Sequence, residues 1–279
     1  MKKSVVIIVG LVMLGACQAR FQKNQQVSFT YDDRSDIPVE IRKTAADTYL
    51  YAQLASNAYD WVGPNRHGAT HFVLPSNVEK LDFALQPVDM TGNDDIGLAF
   101  VVYRIKLPKQ DELVIAFRGS EPNWVDWWLG NVMGRQSPRA IAVFDALRSR
   151  YPDEPISVTG DSLGGSLATQ VSLCRDVHWA VSINTSPRFS SKHCDDGVKE
   201  NANRHSITER GEVLKVTRMF GREASQLYTS INCAGGFNPI KQHSAFKLAK
   251  CLTRTAAIDD GNAAKESIER NPAIFNVER

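Results

Sequence analysis

The chain of 279 residues has almost no charge of either sign to spare, with 33 Lys+Arg against 31 Asp+Glu and a formal net charge of +2. That surplus equals Lys2 and Lys3, the only charged residues before Cys17, so without this segment the charges balance. No basic field remains to attract a phosphate backbone, which argues against nucleic acid as a partner. Cysteine is scarce, five in all, and no pair has the C-x-x-C spacing of a zinc or dithiol site. No metal is therefore expected. Internal repeats and low-complexity blocks are also missing, and the apolar run Val5 to Leu14 is too short to span a bilayer comfortably. What is present is a hydrophobic content of 43 % and a charged content of 23 %, the balance of one large globular domain with a sizeable core.

The N-terminus has the order of an export signal: Lys2-Lys3, the apolar run, then Leu14-Gly15-Ala16-Cys17. Those four residues resemble the bacterial lipobox, which implies a signal peptide over 1–16 and a lipid-acylated Cys17 as the first mature residue. A plain secretory signal that happens to contain a cysteine is the alternative. Gln18 in place of aspartate implies, by resemblance to Gram-negative lipoproteins, a cell-envelope location at the outer membrane. Export into an oxidising compartment leaves Cys174, Cys194, Cys233 and Cys251 free to pair. Of three possible pairings, proximity in sequence favours Cys174–Cys194 and Cys233–Cys251.

Residues 17–43 are polar and weakly patterned and read as a tether. Helical spacing then covers Thr44 to Tyr59. Two β-rich runs, Gly97 to Leu107 and Glu112 to Phe117, flank a Pro108–Asp111 turn and read as a hairpin. Further on come an amphipathic helix from Pro138 to Arg150, a strand from Ile156, a helix from Gly165 to Leu173, and strands at His178–Asn184 and His205–Thr208. A helix from His243 to Leu252 follows, and the charged tail after Asp259 reads as peripheral. Strands alternating with helices after a hairpin predict an α/β domain over 44–279, with a mostly parallel central sheet flanked by helices.

The chemistry concentrates at Gly160-Asp161-Ser162-Leu163-Gly164, which lies between a strand and a helix as a nucleophile elbow does. A serine hydroxyl is a weak nucleophile and needs a histidine base, itself oriented by a carboxylate. Four histidines follow Ser162. His243, between a Gly/Asn/Pro loop and a helix, is best placed to reach back over the elbow. Gly211 would supply a turn after a short strand, so Glu212 is the candidate acid, with Asp195, Asp196 and Glu223 as rivals. Main-chain donors for an oxyanion are expected from Leu163, by elbow geometry, and from Ser120 in the loop after Glu112–Phe117. Trp124, Trp127 and Trp128 crowd one short segment, and three rings so close cannot all face one side of a helix. At least one is expected near the surface, at an acyl site or lid.

Several stretches together resemble the class 3 lipase family of α/β-hydrolases. Val114-Ile-Ala-Phe-Arg-Gly-Ser120 is similar to the strand leading to that family's oxyanion residue. Asn123 to Val132 is similar to its tryptophan-bearing lid segment, and Val158 to Ala168 to its nucleophile motif. Thr185-Ser-Pro-Arg188, Glu209 to Leu214 and His243 to Leu252 resemble the loop, acid and histidine segments that follow. The resemblance spans roughly Thr44 to Thr253. It implies Ser162 as nucleophile, His243 as base, and Ser120 with Leu163 as the oxyanion hole. It further implies a monomeric esterase acting on lipid or acyl-ester substrates (phospholipase, lysophospholipase or acylglycerol lipase), with no cofactor. Two positions depart from the family pattern: Asp161 stands where histidine is common, and Glu212 where aspartate is usual. The alternatives are a non-catalytic envelope lipoprotein and a serine peptidase or amidase.

Overall fold

The computed structural model describes residues 37–59, 71–83, 98–119, 132–186, 203–214, 227–233, 239–259 and 262–275, with single positions between 189 and 199. Seven strands form one sheet in sequential order. They are β1 (Val78–Leu81), β2 (Phe100–Ile105), β3 (Glu112–Phe117), β4 (Ile156–Asp161), β5 (Ala180–Ile183), β6 (Arg204–Glu209) and β7 (Leu227–Ile231). The first three pair antiparallel, and β3 to β7 run parallel. The described helices are α1 (Val39–Asn57), α2 (Val132–Arg150), α3 (Leu163–Cys174), α4 (Pro239–Gln242), α5 (Ala245–Ala256), α6 (Asn262–Arg270) and α7 (Pro272–Phe275). This is the expected α/β architecture, a mostly parallel sheet with helices on both faces. Among the described residues no helix is long and apolar enough to cross a membrane.

Strand β3 shows why the sheet lies in the middle. All six of its residues are buried, as a strand covered on both faces requires. Val114 and Ala116 belong to one apolar cluster with Ile41, Ala45, Ala52 and Leu248 of α1 and α5. Leu113, Ile115 and Phe117 belong to another, with Val143, Leu147, Leu167 and Val171 of α2 and α3. Alternation of side chains at period two thus splits one hydrophobic run between two cores.

The elements differ from the sequence reading at their edges. Helix α1 begins at Val39, inside the stretch read as tether, with Pro38 at its N-cap. Ile37 and Ile41 are buried, and polar Glu40, Arg42 and Lys43 had masked that spacing. Arg42 is also held, by Asp259 at 2.9 Å and by the Ile37 carbonyl at 2.8 Å. Helix α2 starts at Val132 and carries Pro138 within it, although proline usually marks a helix start. Strands β1 and β7 had not been read at all.

The tail is corrected most. It is not peripheral: it forms α6 and α7, and Ser267, Asn271 and Phe275 are buried. Gln53 of α1 donates its amide hydrogens to Thr253 Oγ1 at 2.8 Å and Ser267 Oγ at 2.9 Å, bracing the first described helix against α5 and α6. Asn271 Nδ2 donates to the Val73 carbonyl at 3.0 Å and its Oδ1 accepts from the Val73 amide at 2.7 Å.

Two disulfides, Cys174–Cys194 and Cys233–Cys251, close loops of sequence separation 20 and 18, the pairing that proximity favoured. The second fastens the segment after β7 to α5, just beyond His243. Replacing both Cys233 and Cys251 by serine is expected to cost about 3 kcal/mol by the loop-entropy account. A denaturant midpoint under non-reducing conditions measures it; an unchanged midpoint would show the crosslink to be thermodynamically idle.

Candidate active site

The elbow is built by close packing of main chain. Strand β4 delivers Ser162 to the start of α3, where Ser162 has φ 55° and ψ −116°, a conformation that L-residues rarely adopt. Its amide donates to the Ile183 carbonyl at 2.9 Å, and its own carbonyl accepts from Ser186 N at 2.9 Å and Ser166 N at 3.2 Å. These bonds hold the turn against its strain. Gly164 is obligatory here, because a Cβ at that position would sit 2.1 Å from the Phe117 carbonyl oxygen of β3. Every residue of α3 from Gly164 onward is buried, so the turn stands on a rigid base.

His243 lies in the short link between α4 and α5, with Ser244 as N-cap of α5 through a 3.4 Å bond from Lys247 N. The sequence reading had begun the helix at His243 itself. Placed ahead of the cap, the imidazole turns toward the elbow. Its Nε2 is 2.9 Å from Ser162 Oγ, and its Nδ1 is 2.7 Å from Glu212 Oε2. Glu212 follows the turn at Gly211, where φ is +86°, at the carboxyl end of β6. Its side chain is fully enclosed, and Oε2 accepts a second hydrogen bond from Leu214 N at 2.9 Å. A carboxylate in that setting keeps the Nδ1 proton in place and leaves Nε2 free to accept from the serine.

Of the sequence candidates, then, Ser162, His243 and Glu212 meet in one hydrogen-bonded chain. Leu163 is the first residue of α3, and its N–H has no acceptor within the helix. Asp195 lies in the turn beside the Cys174–Cys194 disulfide. Ser120, Trp124, Trp127, Trp128, Asp196, Glu223 and the acylation candidate Cys17 lie outside the described residues. Among the described residues no group of three or more His, Cys, Asp or Glu is arranged to hold a metal ion.

No family model matches the chain, and no curated protein does. Solved structures similar to it include the Lip2 lipase of Yarrowia lipolytica, at 17 % identity over 67 % of this chain and 78 % of that one, TM-score 0.43. The triacylglyceride lipase of Rhizomucor miehei is similar at 12 % identity over 67 % and 80 %, TM-score 0.44. A triacylglycerol lipase from Penicillium expansum is similar at 15 % identity over 68 % and 80 %, TM-score 0.44. Similarity at this level says nothing of chemistry, which rests on the residues of this chain.

One residue at the site escaped the sequence reading. Tyr59, just past the end of α1, donates its hydroxyl to Asp161 Oδ2 at 2.9 Å. Asp161 is 3 % exposed, and its other oxygen is buried with no hydrogen-bond partner among the described residues. Burial raises its pKa to about 6, against the opposing pull of His243 and of the Tyr59 hydrogen bond. Burial, and then the charge of Asp161, hold the Tyr59 phenol well above its ordinary range, so it remains a donor. Tyr59 carries no local motif, and nothing near it in the chain announces its role.

Proposed function

We infer that the chain is a serine hydrolase cleaving carboxylic esters of lipids through an acyl-serine. The hydrogen-bond chain Ser162–His243–Glu212 at the start of α3 carries this reading. His243 Nε2 takes the hydroxyl proton as Ser162 Oγ attacks the ester carbonyl, and the Leu163 N–H with Ser120 holds the oxyanion. The tetrahedral adduct collapses, breaking the ester C–O bond, and the leaving alcohol takes the proton from His243. Water, deprotonated by His243, then attacks the acyl-serine. The carboxylic acid departs and Ser162 regains its hydrogen.

Lipid as the substrate class is supported by the sequence. The lipobox-like Leu14-Gly15-Ala16-Cys17 would tether the enzyme to an envelope membrane, and Trp124, Trp127 and Trp128 concentrate large apolar side chains in the sequence shortly after Phe117. Phospholipids, lysophospholipids and acylglycerols are the esters such a tether brings within reach.

The test pairs fluorophosphonate labelling with turnover of p-nitrophenyl esters from C4 to C16 and of a matched peptide amide. Stoichiometric labelling of Ser162, with esters cleaved far faster than the amide, is expected. A folded protein that neither takes the label nor turns over any ester would be a binding lipoprotein of this fold. Preference for the amide would make it a peptidase.

A further inference from the structure

The elbow contains a carboxyl group that the reaction above does not use. Asp161 sits immediately before the nucleophile and is enclosed at a point where three segments converge. That point is Gly119, past the end of β3. A Cβ there would lie 2.3 Å from Tyr59 Oη, 2.6 Å from the Asp161 carbonyl oxygen and 3.2 Å from Ser162 Cβ. Glycine is thus required if the tyrosine, the elbow and the β3 loop are to touch. The Tyr59 hydroxyl accepts from the Gly119 backbone N–H and donates to Asp161 Oδ2, so one oxygen ties the loop to the elbow.

We propose that Asp161, held by Tyr59, is a positioning residue that supplies His243 with a second negative charge and so sets the pH at which Ser162 becomes reactive. The proposal rests on the serine hydrolase reading. Burying a carboxyl with one oxygen unpartnered among the described residues is costly, and a purely structural role would be filled more cheaply by asparagine or an apolar residue. What asparagine lacks is charge. Cationic His243 makes Asp161 easier to ionise, and linkage requires the converse: ionised Asp161 makes His243 harder to deprotonate.

Among the described residues, the groups acting on Asp161 are Tyr59 from the end of α1 and His243 from the α4–α5 link. Arg118, at the end of β3, acts on Tyr59, and Glu212 holds the far nitrogen of His243. With its carboxyl raised to about 6, Asp161 gains its charge as pH rises through the range where an imidazole titrates. Below that range it is neutral and leaves His243 to Glu212 alone. The two groups therefore titrate as a coupled pair.

The sign follows directly. Asp161→Asn removes the negative charge, so His243 releases its proton at lower pH. The acid limb of kcat/KM, and of the fluorophosphonate labelling rate at Ser162, should move down by roughly one pH unit, while the plateau kcat drops by less than about tenfold. Packing changes alone would lower the plateau without moving the limb. An unmoved limb in an Asn variant that still takes the label overturns the proposal and leaves the hydrolase reading standing. Failure of the wild type itself to take the label overturns both. Should circular dichroism show the Asn variant unfolded, Tyr59→Phe carries the test. It keeps the carboxyl but removes its donor, so Asp161 stays neutral to higher pH and the limb moves the same way by a smaller amount; an unmoved limb there is equally decisive against.

Discussion

Ser162→Ala is expected to lower kcat for acyl-ester hydrolysis by ~10⁵-fold or more and to abolish fluorophosphonate labelling. Binding should survive, because the Leu163 N–H and the His243–Glu212 pair are untouched. The backbone at this position makes a second comparison informative. With φ at 55° and ψ at −116°, Ser162 holds its Cβ in a region disfavoured for every residue but glycine. Ser162→Gly should therefore be as inactive as Ser162→Ala yet more stable, by about 1 kcal/mol after allowing for the greater freedom of unfolded glycine. Denaturant midpoints of the two variants measure the strain stored for catalysis. If Ser162→Ala kept activity within tenfold of wild type, the nucleophile would have to be sought elsewhere.

Glu212→Gln should lower kcat by roughly 10⁴-fold, with the protein still folded. Two effects combine. The neutral amide no longer stabilises the imidazolium formed as Ser162 attacks. It can also turn its NH₂ toward His243 Nδ1, moving the ring proton to Nε2, where it blocks acceptance from Ser162 Oγ. Because the side chain is fully enclosed, solvent offers little relief from either. Rates of ester turnover and of labelling should fall together, since both need the same proton transfer. A loss of less than tenfold would take the acid role from Glu212 and return it to Asp195, Asp196 or Glu223.

The sequence showed most of the middle of the sheet, for a physical reason. Strand β3 carries an apolar run buried on both faces, while in β4 Ile156 and Val158 alternate with the small polar Ser157 and Thr159, and each is followed by a glycine-bearing turn that punctuates it. Strands β1 and β7 were missed because Val78-Glu-Lys-Leu81 and Leu227-Tyr-Thr-Ser-Ile231 mix polar and apolar residues without clean alternation. The tail was misread because its burial depends on polar residues, Ser267 and Asn271, whose partners lie far away in α1 and at Val73. At the site, chain order was enough to single out Ser162 and His243 as partners. Among four carboxylates the turn expected at Gly211 favoured Glu212, but Asp195, Asp196 and Glu223 stayed open as rivals, since only the folded path of the chain brings one of them to His243. Tyr59 was beyond reach altogether: it meets Asp161 across 102 positions, through the packing of α1 on the sheet.

The brace between Gln53 and residues 200 and 214 positions further on bears on how the molecule is made. A nascent polypeptide cannot complete this brace until Ser267 has emerged. Until then Gln53 of α1 lacks the side chains that hold its amide. The domain thus closes only when two segments far apart in the chain have both been made.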